Sequence, residues 1–473
     1  MRWIAVVLLS LISTPIFAQN SQDESWFHAD FRREGERIRD ACRFYSFMSV
    51  AYCAYPLLTD HPMHIAAGSM PPQNGFGLGL AYVATRNTDN WRLSWNVDAV
   101  GATSGAWRAG GYLKLIHTPV EPIVVTKPSP GAPEKKQKKH VILEHPFTVF
   151  NVYAQAISLN KVNYFGLGND SSLLGASLFG MTQTIVGVNV TKPVFELPAL
   201  SKLNLSLFGE VNGRFVSIRS ESSSTVPSIY SAYNDATAPG LSSQPAFVQF
   251  GQGVRIKPVI GDHLELNYAG SLQEFVASSN SGNTFERWNV DLNHTFYLYG
   301  YTESGPKTST MTGPNECAPS GEKCPSVSRS RNLNGSIGVR LFLSESMNSA
   351  SAVPFYFQQT LGGQDINSSL ALGSYQDYRF RAPNLLLLQE SIEHSIWGPF
   401  GLKFMADQGR VALSRGDLGF SHLRHSYAAG LTLRAGGFPM VQMMFAWGGP
   451  EGHHNIFNMG SSLLGGSARP PLD

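Results

Sequence analysis

Charge is scarce in this chain. Asp, Glu, Lys and Arg together make up 15% of its 473 residues, against about 25% in an ordinary soluble protein. The formal net charge is +2, and no basic stripe with interleaved aromatics points to nucleic acid as a partner. Long apolar runs are also missing beyond the start. Met1-Arg2, the run over 3–12 and the small residue Ala18 have the layout of a cleavable export signal spanning 1–18. That run falls short of the roughly 20 apolar residues of a permanent membrane helix. The next candidate, 41–58, is interrupted by Arg43 and closed by Pro56. Recognisable catalytic motifs are lacking too. The 13 histidines show no triad spacing, no Cys/His metal motif occurs, and Gly77-Leu78-Gly79 lies on an alternating strand rather than ahead of a helix. Neither an enzyme nor a bound cofactor is expected.

Cysteine is limited to four, which in an exported chain implies two disulfides. Cys317 and Cys324 sit in a loop rich in Pro, Gly and Ser and close a small ring easily. Cys42 and Cys53 force a choice. Eleven residues of helix would separate them by about 16 Å, whereas a disulfide needs Cα atoms within roughly 7 Å. Either they are bonded and the stretch is not one straight helix, or it is helical and they are free. Segment 19–61, with its charged part over 30–38, has room for a helix and little else.

What is present is apolar, glycine-rich and aromatic: 42% hydrophobic residues, 46 glycines and 17 tyrosines. An exported chain of this kind without membrane helices is expected to form a transmembrane antiparallel β-barrel. A large secreted sandwich or propeller is the rival. Period-two alternation supports strands. Leu203, Leu205, Leu207, Val211 and Phe215 share one face, and Asn204, Ser206, Glu210, Asn212 and Arg214 the other. Trp288, Val290, Leu292 and Phe296 likewise alternate with Arg287, Asn289, Asp291, Asn293 and Thr295. In a barrel the apolar set meets lipid and the polar set the lumen, because hydrocarbon cannot solvate charge.

Strands are predicted at 62–70, 75–86, 91–102, 107–117, 147–159, 176–191, 203–219, 246–258, 263–279, 285–300, 332–346, 385–397, 400–411, 425–436, 439–449 and 453–464. They make sixteen, an even number as single-chain bacterial barrels require. This count keeps 354–360 out of the wall and accepts a weak first strand. It puts two connections on the same side as both ends of the barrel: 118–146, with Glu134-Lys135-Lys136-Gln137-Lys138-Lys139, and 301–331, with the second cysteine pair. The barrel is expected over 62–464, with a tail over 465–473.

One stretch organises the rest. Val353-Pro354-Phe355-Tyr356-Phe357 is followed by Leu361-Gly362-Gly363, a polar loop, Leu372-Gly373-Ser374-Tyr375 and Tyr378-Arg379-Phe380-Arg381. A strand from Leu385 and a second one carrying Met405-Ala406-Asp407-Gln408-Gly409 come next. This order resembles the C-terminal barrel of the bacterial surface antigen family, the outer-membrane assembly barrels of the BamA and TamA type. The resemblance covers about 353–464, with weaker echoes at 75–82 and at Tyr164-Phe165-Gly166-Leu167-Gly168-Asn169-Asp170. It implies outer-membrane lipids and unfolded or exported outer-membrane proteins as partners, in the bacterial outer membrane. Family members that insert or secrete proteins carry periplasmic POTRA modules, for which 19–61 has no room, so a barrel-only member is expected.

In that family the loop after the eleventh strand folds into the lumen and presents an Arg-Gly-Phe/Tyr arginine to an aspartate on the thirteenth strand. Here Leu372-Gly373-Ser374-Tyr375 stands at that motif without its arginine, while Met405, Asp407 and Gly409 keep the strand side. Two readings follow. Either Arg379 or Arg381 replaces the missing arginine as partner of Asp407, or packing alone holds the loop. The preceding strand supplies an acidic residue, Glu390 or Glu393, and alternation turns Glu393 to the lumen. The resemblance implies a barrel that assists protein insertion or translocation, working at the seam of its first and last strands. A passive porin-like channel or a structural surface barrel is the alternative.

Overall fold

A computed structural model describes positions 62–88, 90–117, 147–194, 203–261, 263–300, 302–304, 328–330, 333–435, 438–459 and 469–472, with six more between 32 and 40. The chain divides into Met1–His64 and Ile65–Asp473. The six described positions between 32 and 40 are helical, and Arg32 and Glu36, one turn apart, form an ion pair at 3.2 Å. The export signal, the lysine cluster and all four cysteines (Cys42, Cys53, Cys317 and Cys324) lie outside the described residues.

The second unit is a nearly closed barrel of sixteen antiparallel strands. In chain order these are β1 (Met63–Ser69), β2 (Phe76–Asn87), β3 (Trp91–Ala102), β4 (Trp107–His117), β5 (Thr148–Tyr164), β6 (Ser177–Pro193), β7 (Leu205–Ser220) and β8 (Phe247–Ile256). They continue with β9 (Leu264–Ala277), β10 (Phe285–Tyr297), β11 (Gly335–Ser346), β12 (Asn384–Trp397), β13 (Phe400–Ala412), β14 (Arg424–Ala435), β15 (Phe438–Gly449) and β16 (Gly452–Met459). Val259–Ile260 adds a short extension of β8 along β9. Each strand pairs with its sequence neighbour, in registers such as Tyr112↔Tyr153, Val290↔Leu343 and Leu387↔Gly409. The expected parity therefore holds. The β4–β5 and β10–β11 connections lie at the rim where β1 begins and β16 ends, called here the proximal rim.

Alternation sorts the side chains as the pattern of residues requires. Leu207, Val211 and Phe215 of β7 are exposed outward, while Asn212 and Arg214 are buried inward. The outward belt continues through Leu78, Leu80, Val97, Val186, Val188, Val254, Val339, Leu402 and Phe404. Large aromatics edge it at both rims. Trp91, Phe150, Trp397 and Phe400 lie at the proximal rim, and Phe76, Trp107, Tyr427 and Trp447 at the distal one.

The inner face is not uniform. Toward the proximal rim it is polar, with Asp291 clasping Arg340 in two 2.9 Å bonds and Gln249 donating to Glu210 at 2.6 Å. Toward the distal rim the inward positions turn apolar: Ile157, Leu159, Phe179, Val216, Ile218, Phe247, Phe275 and Phe285 are all buried. Such a lining cannot face water without cost, so something must fill it.

Candidate functional site

The filler is the connection between β11 and β12, residues 347–383. Its root is a short 3₁₀ turn, Phe355–Phe357, with all three rings buried. Phe355 sets its edge against Tyr164 and Phe179 at centroid distances of 5.3 and 5.2 Å. Phe357 meets Phe247 and Phe275 at 5.2 and 5.3 Å. These separations lie in the range where aromatic pairs add to plain area burial. Two arginines satisfy the carbonyls that the turn carries into this apolar zone. Arg287 donates to Phe357 O at 3.1 Å and Arg381 to Phe355 O at 2.6 Å. Burying those carbonyls unpaired would oppose docking.

Beyond the root the loop forms a small hairpin, Gln359–Leu361 against Phe380–Ala382. Gly362 then turns with φ +102°, and any Cβ there would collide with Arg379 and with Gln376 O at 2.8 Å. Only glycine satisfies both demands. This turn carries the tip, from Gln364 to Tyr378, along the inner wall toward β16.

Asp407 on β13 is buried and faces the loop. Its partner is not a guanidinium. Oδ2 accepts the Leu372 backbone N–H at 3.0 Å, and Oδ1 accepts from Gln389 Nε2 at 3.2 Å. Gln389 also donates to Leu370 O at 2.9 Å. A main-chain donor, the Leu372 N–H, thus takes the place expected of Arg379 or Arg381. Arg379 points elsewhere. It forms a salt bridge with Glu451 at 2.5 Å, in the β15–β16 turn, with both side chains about nine-tenths buried. It also donates to Ser171 Oγ at 2.8 Å and Ser171 O at 2.7 Å on the β5–β6 loop. Arg381 serves the root, as described, and its own carbonyl accepts the Gly168 N–H at 2.8 Å. The expected pairing of Arg379 or Arg381 with Asp407 is therefore corrected. The Leu372 N–H fills the place beside Asp407, while Arg381 lies on the second hairpin strand and Arg379 just before it.

The remaining predicted residues fall around this latch. Tyr375 is buried edge-on against Phe380 at 5.1 Å. Gly409 lets the hairpin approach, since a Cβ there would meet Leu361 at 2.9 Å. Glu393 sits toward the lumen beside Arg434 at 3.5 Å, whereas Glu390 is exposed on the outward face and takes no part. Glu451, Ser171, Gln389 and Ser426 were not anticipated. Ser426 accepts the Ser374 N–H at 2.9 Å, and Ser374 in turn accepts the Gly449 N–H at 3.0 Å. A lone carboxylate in the turn Pro450-Glu451-Gly452 was the one usable signal.

The latch lies beside the junction of β1 and β16. There the Met459 N–H donates to Ser69 Oγ at 3.0 Å, and the residues that follow, 460–468, lie outside the described residues. A cavity of about 350 Å³ opens there, lined by Ser69, Met70 and Phe76, by Tyr375 and Asp377 of the tip, and by Ile456 and Phe457. The β1–β2 turn is pinned to the wall by buried Asn74. Its Oδ1 accepts the N–H groups of Asn160 and Lys161 at 2.8 and 3.1 Å, and its Nδ2 donates to Lys161 O at 2.7 Å. These bonds fall where the β5–β6 register shifts between Leu159 and Val162, so the bulge frees the main-chain groups that Asn74 takes.

The described residues thus define a nearly closed sixteen-stranded antiparallel barrel with an apolar outer belt and a loop folded into its lumen. The sequence matches no protein-family model and no curated protein. Among solved structures, CdiB from Acinetobacter baumannii matches with a TM-score of 0.45 at 11% identity, over 84% of this chain and 60% of its own. CdiB from Escherichia coli matches at 0.45 and 11%, over 84% and 59%. BamA from Haemophilus ducreyi lacking POTRA domains 1–3 matches at 0.40 and 11%, over 89% and 80%. The chain therefore spans about three fifths of the CdiB structures it resembles.

Proposed function

We propose that this chain is a bacterial outer-membrane barrel that assists the insertion or translocation of exported proteins, with the seam between β1 and β16 as its working edge. The apolar belt between two aromatic rims is the surface a bilayer requires, and the laddered strands satisfy their polar backbone within the ring. The proximal rim is then periplasmic, as is usual for the end at which such barrels begin and finish. Outer-membrane lipids are the standing partner, and an exported or unfolded outer-membrane protein is the client.

The observation that carries the finer reading is the placement of the loop tip. It is fixed to the β15–β16 turn through Glu451 and to Gly449 through Ser374, and it lines the cavity at the junction of β1 and β16. The junction of first and last strands is where a barrel can accept an added strand, and a loop latched beside that junction is placed to regulate it. Depletion followed by quantification of outer-membrane proteins tests this. Selective loss of other barrels is the expected outcome. Normal barrel levels with impaired small-solute uptake would instead make the protein a porin-like channel.

A further inference from the structure

Residues 469–472, well past the last strand, lie in the lumen among inward-facing groups of distant strands. Arg469 forms a salt bridge with Asp98 of β3, which also faces Arg108 at 3.8 Å. Leu472 is buried among the apolar residues beneath the loop root. Its carbonyl accepts from Gln183 Nε2 at 2.9 Å and from Arg214 Nη1 at 3.2 Å. Its N–H donates to Asn367 Oδ1 of the inward-folded loop at 2.8 Å. Gln183 and Arg214 are almost wholly buried, and Arg214 is held further by Gln249 Oε1 at 2.5 Å and Asn212 Oδ1 at 3.1 Å.

These contacts are of three kinds, and together they make a recognition site. A carboxylate takes a cationic side chain, an apolar pocket takes a branched aliphatic one three residues later, and donor and acceptor groups grip both polar atoms of one peptide unit's flanks. Pro470 and Pro471 between them keep the segment extended and lower the entropy lost on docking. Beside it a cavity of about 340 Å³ remains open, bounded by Gln273, Asp291, Arg340, Asn367 and Pro471.

We infer that the lumen contains a binding site for an extended peptide carrying an arginine and, three residues on, a leucine, and that the chain's own segment 469–472 is its resident ligand. The site is built by Asp98, Gln183, Arg214 and Asn367, apart from the seam and from the Asp407 latch. It stands whether or not the barrel handles other proteins. Occupancy ties the inward-folded loop, through Asn367 and Leu472, to Gln183 of β6 and Arg214 of β7.

The test uses the full chain in detergent micelles and a fluorescently labelled synthetic peptide of residues 468–473, read by anisotropy. The emptied receptor is the Arg469→Ala, Leu472→Asp double variant, with its heat-modifiable gel mobility confirming a folded barrel. The peptide is expected to bind the emptied receptor and not the unaltered protein, whose site is filled. Adding Asp98→Asn to the emptied receptor should weaken peptide binding about tenfold, as loss of a charge-assisted bond does. Should the double variant not fold, Arg469→Ala alone, which leaves the apolar contact in place, is expected to exchange peptide measurably faster than the unaltered protein. Absence of binding to a folded emptied receptor, or equal binding to the unaltered protein, would overturn the inference.

Discussion

The two ends of the inward-folded loop are held by different physics. At the root, three consecutive aromatic rings fill a zone that the barrel wall has already made apolar, and the polar work is confined to two arginines that satisfy carbonyls. At the tip, Leu372 and Tyr375 pack into a smaller apolar cluster with Phe380, Leu385 and Val411, and directed bonds to Asp407, Ser426 and Glu451 are added to that packing. The lesson is that the local lining decides the mode of attachment. Where the lining is wholly apolar, packing holds the loop. Where Asp407, Gln389 and Ser426 line the wall, directed bonds from buried groups are added to the packing. A root held by many weak contacts leaves gradually when trimmed, whereas a tip held by a few strong ones leaves all at once.

The comparison is broken most sharply at the root. Phe357→Ala should lower barrel stability by about 3–5 kcal/mol, the range for deleting a buried ring, read as a fall in the urea midpoint, with protease cleavage throughout 347–383. Next comes the tip. Arg379→Ala leaves Glu451 buried without its partner, a loss of about 3 kcal/mol for a broken buried pair. Cleavage should then be confined to 364–379 while the root stays protected. Equal cleavage at both ends in this variant would contradict the division. Asp407→Asn is smaller. It replaces one acceptor oxygen by a donor opposite the Leu372 N–H or Gln389, costs about 1–2 kcal/mol, and should raise hydrogen exchange of the Leu372 amide before that of the root.

The smallest expected effect concerns pH. Burial pushes the Asp377 carboxyl above the ordinary carboxylate range, against the Gln364 N–H at 2.9 Å and nearby His454, which act to lower it. A carboxyl whose value is raised by docking penalises the docked tip at neutral pH, and the penalty is lifted as pH falls through that raised value. Mild acidification should therefore protect the tip against protease. Asp377→Asn keeps an oxygen for Gln364 and should make protection independent of pH over the same window. A tip that loosens in acid in both proteins would remove Asp377 from the explanation.

Much of the wall was legible before any coordinates. Leu207, Val211 and Phe215 alternate with Asn212 and Arg214 because one face must be apolar and the other wet, and that constraint is local. Asp407 and Gly409 were legible through resemblance, each for a physical reason: an inward carboxylate to take a donor, and a missing side chain to admit Leu361. The partner of Arg379 was not. Ser171 lies 208 residues away along the chain, and Glu451 sits in an ordinary turn, so nothing local distinguishes them from solvated residues. The root was visible as Phe355-Tyr356-Phe357, kept out of the wall within 354–360. Three adjacent aromatics outside any alternating strand signal that part of the lumen is dry, as their burial there shows.

One consequence concerns the reach of a single side chain. The Arg379 Nε bonds Glu451 of the β15–β16 turn, while its Nη1 and Nη2 bond Ser171 of the β5–β6 loop. One planar guanidinium thus rivets together the inward-folded loop and two connections that lie far apart along the chain. Moving the Glu451 turn outward must either break that rivet or drag the β5–β6 loop along with it.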